Sequence, residues 1–149
     1  MEIAKKFSMS QYIIPLIPAV AVLIDYSLTF FLADNRAMIL EWEASPLLKF
    51  ATANGLIYLY IAGIMLFYYF GTLFVLKLLD KSSVYPVAVS LIVILSATHI
   101  LGGLSWYFRN PVYSNTIYAV SIISIVVAIA LFGYVAIRNP DSRPFSGRA

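Results

Sequence analysis

The sequence predicts an all-α integral membrane protein, a four-helix up-down bundle with both chain ends in the cytoplasm (N-in/C-in). Hydrophobic residues make up 62% of the 149 residues and charged residues only 11%, whereas soluble domains carry about 25% charged residues. Four apolar segments each reach the ~20 residues that a helix needs to cross a bilayer. Lys and Arg divide unevenly between the two ends of these segments, and this bias predicts the orientation.

A single transmembrane domain covers residues 1–149. Its four apolar segments are residues 12–33, 55–79, 84–108 and 113–137. Residues 80–83 connect the second and third segments, and residues 109–111 connect the third and fourth. Connections this short make consecutive helices antiparallel neighbours. Pro15 and Pro18 fall in the first two turns of the first segment, where they either kink the helix or mark a late start.

The positions of Lys and Arg predict which side of the membrane each connection faces. With the N-terminus inside, seven cationic residues are cytoplasmic, namely Lys5, Lys6, Lys77, Lys81, Arg138, Arg143 and Arg148. Three remain outside, namely Arg36, Lys49 and Arg109. Residues 139–149 contain Pro, Ser and Gly and are predicted to form a flexible cytoplasmic tail. We therefore expect a multi-pass protein of the cell membrane.

Residues 34–54 form the only long connection and would lie outside. Ser45 and Pro46 are typical of a helix start, with Ser as the cap and Pro at the first position. A continuous helix from Pro46 to Leu79 would measure roughly 50 Å, longer than the ~30 Å hydrocarbon core. Either this helix projects outward, or it breaks near residues 54–55 and leaves an interfacial helix at 46–52.

Asp25 is the first candidate functional residue. It lies roughly 10 Å below the outer end of the first segment, and an ionisable side chain at such a depth is costly and indicates a functional site by default. The alternative is that Asp25 bonds to a neighbouring helix and only fixes the packing. Thr29 lies one turn further out on the same helix face.

His99, the only histidine, lies roughly 13 Å below the outer end of the third segment, a depth close to that of Asp25. Ser96 shares its helix face. If the first and third helices are neighbours, His99 and Asp25 could meet. The adjacent Gly102 and Gly103 would either allow close helix contact or leave room for a ligand.

Glu43 completes the candidate set, because it precedes the helix start at Ser45 on the predicted outer side. Asn54 and Tyr58 share a face at the start of the second segment and are candidate supporting hydrogen-bond donors. Together, Asp25, His99 and Glu43 would suit zinc or another divalent metal ion. The alternative for Glu43 is an ordinary solvated loop carboxylate. On the fourth segment, a stripe formed by Tyr118, Ser121, Ser124 and Ala128 predicts helix packing.

Two short motifs carry a resemblance to a known family. Asp25-x-x-x-Thr29 followed by Glu43-Ala44-Ser45-Pro46 resembles the D-x-x-x-T … E-x-N-P pattern of a family of small archaeal and bacterial four-helix membrane proteins, catalogued as a domain of unknown function. The motifs cover about a quarter of the chain, and Ser45 stands where the family has Asn. The resemblance implies that Asp25 and Glu43 belong to one constellation, and it supplies no activity.

Composition excludes some function classes. The chain has no cysteine, which excludes disulfides, thiolate metal sites and cysteine nucleophiles. The net charge of +3 comes from scattered Lys and Arg, so we expect no nucleic-acid partner. The expected partners are the lipid bilayer and either other membrane proteins or further copies of the chain.

Three functions remain open. The first is a non-catalytic accessory subunit or small-ligand binder of a larger membrane assembly, which the small size and the lack of a catalytic motif favour. The second is a metal-dependent intramembrane hydrolase in which Asp25, His99 and Glu43 hold an ion that activates water. The third is a small oligomeric transporter in which Asp25 is the titrating group.

Overall fold

The structure, a computed structural model, describes residues 11–80 and 82–138. In these ranges the regular secondary structure is helical throughout, so the all-α prediction is confirmed. Its principal helices are α1 (Leu16–Leu32), α2 (Arg36–Trp42), α3 (Pro46–Ala53), α4 (Ile57–Leu78), α5 (Tyr85–Phe108) and α6 (Pro111–Arg138). The predicted tail at residues 139–149 lies outside the described residues, as do Lys5, Lys6, Lys81, Arg143 and Arg148.

Four helical segments are long and apolar enough to cross a membrane, as predicted. They are Gln11–Leu32, Ile57–Leu78, Tyr85–Phe108 and Pro111–Val135. The mean hydropathy of their most apolar windows ranges from 1.9 to 2.4. A helix of 22 residues measures about 33 Å, which matches the ~30 Å hydrocarbon core of a bilayer.

The first of these segments contains a break at Pro15. Residues 11–13 form one helical turn, residues 14–15 form a turn, and α1 begins at Leu16. Proline at position 15 cannot donate a backbone N–H, which explains an interruption at this point. The first segment is thus interrupted at Pro15, and its main helix begins directly after this proline.

Helix α1 forms the centre of the fold. It packs along both α5 and α4, whereas α6 packs mainly on α5, and α4 touches α5 only lightly. Burial follows this arrangement, since 39% of the apolar window in the first segment is buried but only 6% in α4 and 6% in α6. The exposed faces of α4 and α6 remain apolar, as expected for helices that contact lipid.

Helices α1 and α5 approach each other at the level of their backbones. A Cβ atom added at Gly103 would lie 2.8 Å from the Asp25 carbonyl oxygen and 2.9 Å from the Asp25 Cα. Only glycine fits at this distance. Of the two interpretations that the sequence left open for the glycine pair, close helix contact therefore applies to Gly103.

Two short helices make up most of the long connection. Asn35 caps α2 by accepting a hydrogen bond from the Met38 N–H at 2.9 Å. Ser45 caps α3 by accepting one from the Leu48 N–H at 3.3 Å, so the predicted helix start at Ser45 is confirmed. Helix α2 was not predicted.

The helix that the sequence could have continued to residue 79 is interrupted after α3. Gly55 adopts a positive φ of 71°, a conformation that glycine adopts without strain, and α4 begins only at Ile57. The Arg36 guanidinium donates to the Ala53 carbonyl oxygen at 2.6 Å and so satisfies an open end of α3. The predicted break near residues 54–55 is therefore confirmed, whereas the interfacial position of α3 stays a prediction.

Candidate functional site

A cavity of about 830 Å³ lies between α1, α5, α6 and the segment that joins α2 to α3. We call it the polar cavity. It brings together all three predicted site residues, each contributed by a different part of the chain. Its lining includes Asp25, Tyr26, Thr29, Trp42, Glu43, Ser45, Thr98, His99, Gly102, Ser105, Trp106, Arg109, Ser114, Tyr118 and Ser121.

Asp25 and His99 form a direct pair in the wall of this cavity. The distance between Asp25 Oδ2 and His99 Nδ1 is 2.9 Å, and the two side chains are 16% and 24% exposed. The sequence predicted that Asp25 and His99 lie at similar depths. Because α1 and α5 are neighbours, the two side chains are in direct contact. Most of the surface of both polar groups is removed from solvent, so the pair fixes the relative position of the two helices.

Tyr68 extends the pair into a chain of three polar side chains. Its hydroxyl group lies 2.7 Å from His99 Nε2, and its ring meets the imidazole edge to face with centroids 5.0 Å apart. A neutral imidazole protonated at Nδ1 donates to Asp25 and accepts from Tyr68, so this tautomer satisfies both bonds. Both ring nitrogens of His99 are therefore occupied by protein partners.

Glu43 lines the same cavity but bonds to its own loop. Its Oε1 accepts a hydrogen bond from the Ser45 N–H at 2.8 Å. Burial raises the pKa of the Glu43 carboxyl group, the Ser45 and Ala44 N–H groups lower it, and the nearby Asp25 carboxylate raises it further. The two carboxyl groups therefore influence each other across the cavity, although Glu43 does not join the hydrogen bonds of Asp25 and His99.

The predicted three-residue metal site is not assembled in this geometry. Within residues 11–80 and 82–138, no group of three or more His, Cys, Asp or Glu side chains is placed to hold a metal ion. The nitrogen atoms of His99 already bond to Asp25 and Tyr68, and Glu43 is retained by the loop. A zinc ligand set of Asp25, His99 and Glu43 is thus not assembled, because loop geometry separates the third ligand from the pair.

A second group of hydroxyls supports the wall of the cavity. The hydroxyl groups of Tyr26 on α1 and Tyr60 on α4 lie 2.7 Å apart, and their rings meet edge to face at 5.3 Å. Ser45 Oγ lies 3.5 Å from the Tyr60 hydroxyl, so the cap of α3 adjoins this pair. Val22, Tyr26 and Leu48 form the buried cluster behind it. The group anchors the loop that carries Glu43 to α1.

The predicted supporting residues divide into two sets. Thr29 is 2% exposed and lines the cavity, as expected from its position above Asp25. Ser96 is buried but donates to the Ile92 carbonyl oxygen and does not line the cavity. Asn54 donates to the Phe50 carbonyl oxygen, and Tyr58 is 88% exposed. Neither Asn54 nor Tyr58 lines the cavity, because the break at Gly55 leaves Asn54 at the end of α3 and Tyr58 in α4.

Sequence reasoning missed several residues of this site. Tyr68 could have been found, since a hydroxyl in the middle of an apolar segment needs a partner. Tyr118 and Ser121, which the sequence predicted only as packing residues, line the polar cavity. Ser124 is buried and donates to the Val120 carbonyl oxygen, which agrees with packing.

A second cavity of about 410 Å³ lies between α4, α5 and α6. We call it the apolar groove. Its walls are formed by side chains such as Phe67, Leu91, Leu95 and Phe132, and Tyr68 also contributes to them. Tyr68 therefore lies between the two spaces, with its hydroxyl group bonded to His99 and part of its ring facing the groove.

Fold and site together define a class: a helical protein with four helices able to cross a membrane and a polar cavity beside its central helix. Comparisons with protein-family models, with curated proteins and with solved structures give no match.

Proposed function

We propose that this chain is a multi-pass protein of the cell membrane that binds a small ligand in the polar cavity and does not itself catalyse a reaction. The observation that carries the proposal is a cavity of about 830 Å³ with the Asp25–His99 pair in its wall. Ligand sites typically measure about 300–1,000 Å³ and combine apolar walls with a few polar groups.

The bonding of His99 favours binding over hydrolysis. A general base needs a free nitrogen within hydrogen-bond reach of the nucleophile, whereas both nitrogens of His99 bond to Asp25 and Tyr68. Two of the serines on α1 and α5 also have backbone partners, since Ser27 donates to the Leu23 carbonyl oxygen and Ser96 to that of Ile92. The intramembrane hydrolase is therefore the weaker alternative.

A small oligomeric transporter is the other alternative. Among the residues that line the apolar groove, only Tyr68 and Thr72 carry polar side-chain groups, so a continuous polar route through one copy lacks support. Association with other membrane proteins or with further copies belongs to the proposal as well. The large exposed side chains of α4, such as Phe67 and Phe70, provide apolar surface for it.

We further propose the up-down, N-in/C-in orientation, with the polar cavity open to the outside. The chain has no cysteine, so single cysteines at Glu41 and Asp80, both exposed, report each side without background. In intact cells, Glu41→Cys should react with a membrane-impermeant maleimide, and Asp80→Cys should react only after permeabilisation. The opposite pattern would overturn the orientation, and labelling of both in intact cells would overturn the up-down arrangement.

Ligand binding is testable through intrinsic fluorescence, because both tryptophans of the chain, Trp42 and Trp106, line the polar cavity. We would titrate the purified protein with three bromine-containing quenchers of similar size: 4-bromobenzylamine, 4-bromobenzyl alcohol and 4-bromophenylacetate. At least one should quench the emission saturably. Ser121→Phe, which places a bulky ring in the wall of the cavity, should weaken the saturable component of the quenching.

The matched control is Ala119→Phe, which adds the same ring to an exposed position of α6 outside the cavity. It should retain saturable quenching. Equal quenching curves for Ser121→Phe and Ala119→Phe, or a lack of saturation with every probe in the unmodified protein, would contradict a binding function of this cavity.

A further inference from the structure

We propose that the polar cavity selects a small organic cation, an amine with an aromatic or aliphatic body whose charged nitrogen binds beside Asp25. This inference rests on the proposed function and adds the chemical class of the ligand. It depends on three features of the cavity: an uncovered carboxylate oxygen, an excess of acidic over free basic groups, and several aromatic side chains.

The first feature is the uncovered oxygen of Asp25. Oδ2 bonds to His99, whereas Oδ1 has no hydrogen bond among the described residues. Gly102 faces this carboxylate, and a Cβ atom there would lie 3.9 Å from Oδ1. Since glycine carries no side chain, the carboxylate is left open to the cavity that both residues line. A donor group of a ligand could bond to Oδ1 without disturbing His99.

The second feature is the balance of charged groups that line the cavity. Asp25 comes from α1, Glu43 from the loop, His99 from α5 and Arg109 from the residue that follows α5, and α6 contributes none. The Arg109 guanidinium already bonds to Asp34 at 3.0 Å and to the Leu32 carbonyl oxygen at 3.4 Å. Among the described residues, neither Asp25 nor Glu43 forms a salt bridge with a lysine or arginine, although Lys49 lies near enough to lower the pKa of the Glu43 carboxyl group. The cavity therefore attracts positive charge.

Four backbone N–H groups beside the cavity, which could otherwise bind an anion, already form hydrogen bonds within the protein. The Ser45 and Leu48 N–H groups at the start of α3 donate to Glu43 and to Ser45 Oγ. The Val112 and Tyr113 N–H groups at the start of α6 both donate to Asn110 Oδ1. Both helix starts beside the cavity are thus capped by side chains of the protein, so these four N–H groups do not compensate an anion for the two carboxyl groups.

The third feature separates an organic cation from a metal ion. Trp42, Trp106 and Tyr118 line the same cavity, and the faces of aromatic rings attract organic cations and cover their apolar bodies. A metal ion would need three or more ligands, and the described residues offer no such set. An amine uses what the cavity provides: one open carboxylate oxygen and aromatic walls.

The test compares the three quenchers, which share a bromophenyl body and differ in charge. The amine should bind about tenfold more tightly than the alcohol, as expected for a hydrogen bond to a partly buried charge, and the acid should bind most weakly. In Asp25→Asn, which retains an oxygen acceptor for His99, the affinity for the amine should fall to that of the alcohol, whose own affinity should not change.

A second pair of variants keeps the test independent of Asp25. Glu43→Gln should weaken amine binding about threefold through loss of a nearby charge, while Glu41→Gln, an exposed carboxylate outside the cavity, should have no effect. Alcohol or acid binding as tightly as the amine would overturn the inference and leave the binding function intact. Failure of every probe to saturate would overturn the binding function and the inference with it.

Discussion

A single methyl group at Gly103 is expected to destabilise the folded protein by about 3 kcal/mol, the upper end of the usual cost of overpacking. The added Cβ would lie 2.8 Å from the Asp25 carbonyl oxygen and 3.0 Å from the Leu28 Cβ. Backbone atoms cannot rotate away as a long side chain can, so α1 and α5 must separate to admit the methyl group.

The matched control for Gly103→Ala is Gly63→Ala. Gly63 lies in α4, and no atom is within 4 Å of a Cβ added there. The control should be neutral or stabilise the protein by up to about 1 kcal/mol, because alanine favours helix more than glycine does. Equilibrium unfolding in mixed detergent micelles, followed by circular dichroism, would measure both. Equal stabilities for the two variants would show that the backbone contact is absent.

Asp25→Leu is expected to destabilise the fold by about 2–3 kcal/mol, below the 3–5 kcal/mol typical of fully buried pairs. The lower value reflects the partial exposure of the pair, 16% for Asp25 and 24% for His99. The substitution leaves His99 Nδ1 without its partner, and a polar group without a bond in this position is the main source of the cost.

A double-mutant cycle separates the pair from its surroundings. Asp25→Leu/His99→Leu should be clearly more stable than the sum of its two single variants predicts, because no polar group remains unpaired at that contact. Asp34→Leu is the control, since the Asp34–Arg109 pair has a similar distance of 3.0 Å but is largely exposed, and such pairs contribute about 0–1 kcal/mol. Additive single effects, or equal losses for Asp25→Leu and Asp34→Leu, would contradict a stabilising role of the buried pair.

The four long helices could be predicted from the sequence because length and hydropathy depend on local composition alone. The start of α3 could be predicted for the same reason, since Ser45 and Pro46 act within one turn. Helix α2 was missed, because seven residues with one capping side chain, Asn35, give too short a pattern to distinguish from a loop. The central position of α1 could not be predicted, since it depends on which helices are neighbours.

The candidate site, too, could be predicted only in part from the sequence. The depths of Asp25 and His99 follow from counting residues along helices, and the two residues do form a pair. A hydroxyl at Tyr68 inside an apolar segment indicates that it needs a partner, but its bond to His99 could not be found by counting residues, because it depends on the rotation of α4 against α5. The shared face predicted for Asn54 and Tyr58 does not exist. Residues four apart share a face only within one continuous helix, and the helix is interrupted at Gly55.

The distance between Asp25 and His99 along the chain has a consequence for the order of synthesis. They are 74 residues apart, which at about 5–20 residues per second corresponds to roughly 4–15 s of translation. In the proposed topology, α1 enters the bilayer first, and the Asp25 carboxyl group has no His99 partner until α5 has been synthesised. Tyr26 and Tyr60, only 34 residues apart, can bond much earlier. Helix α4 can therefore hold the future central helix in place while its ionisable group still lacks a partner.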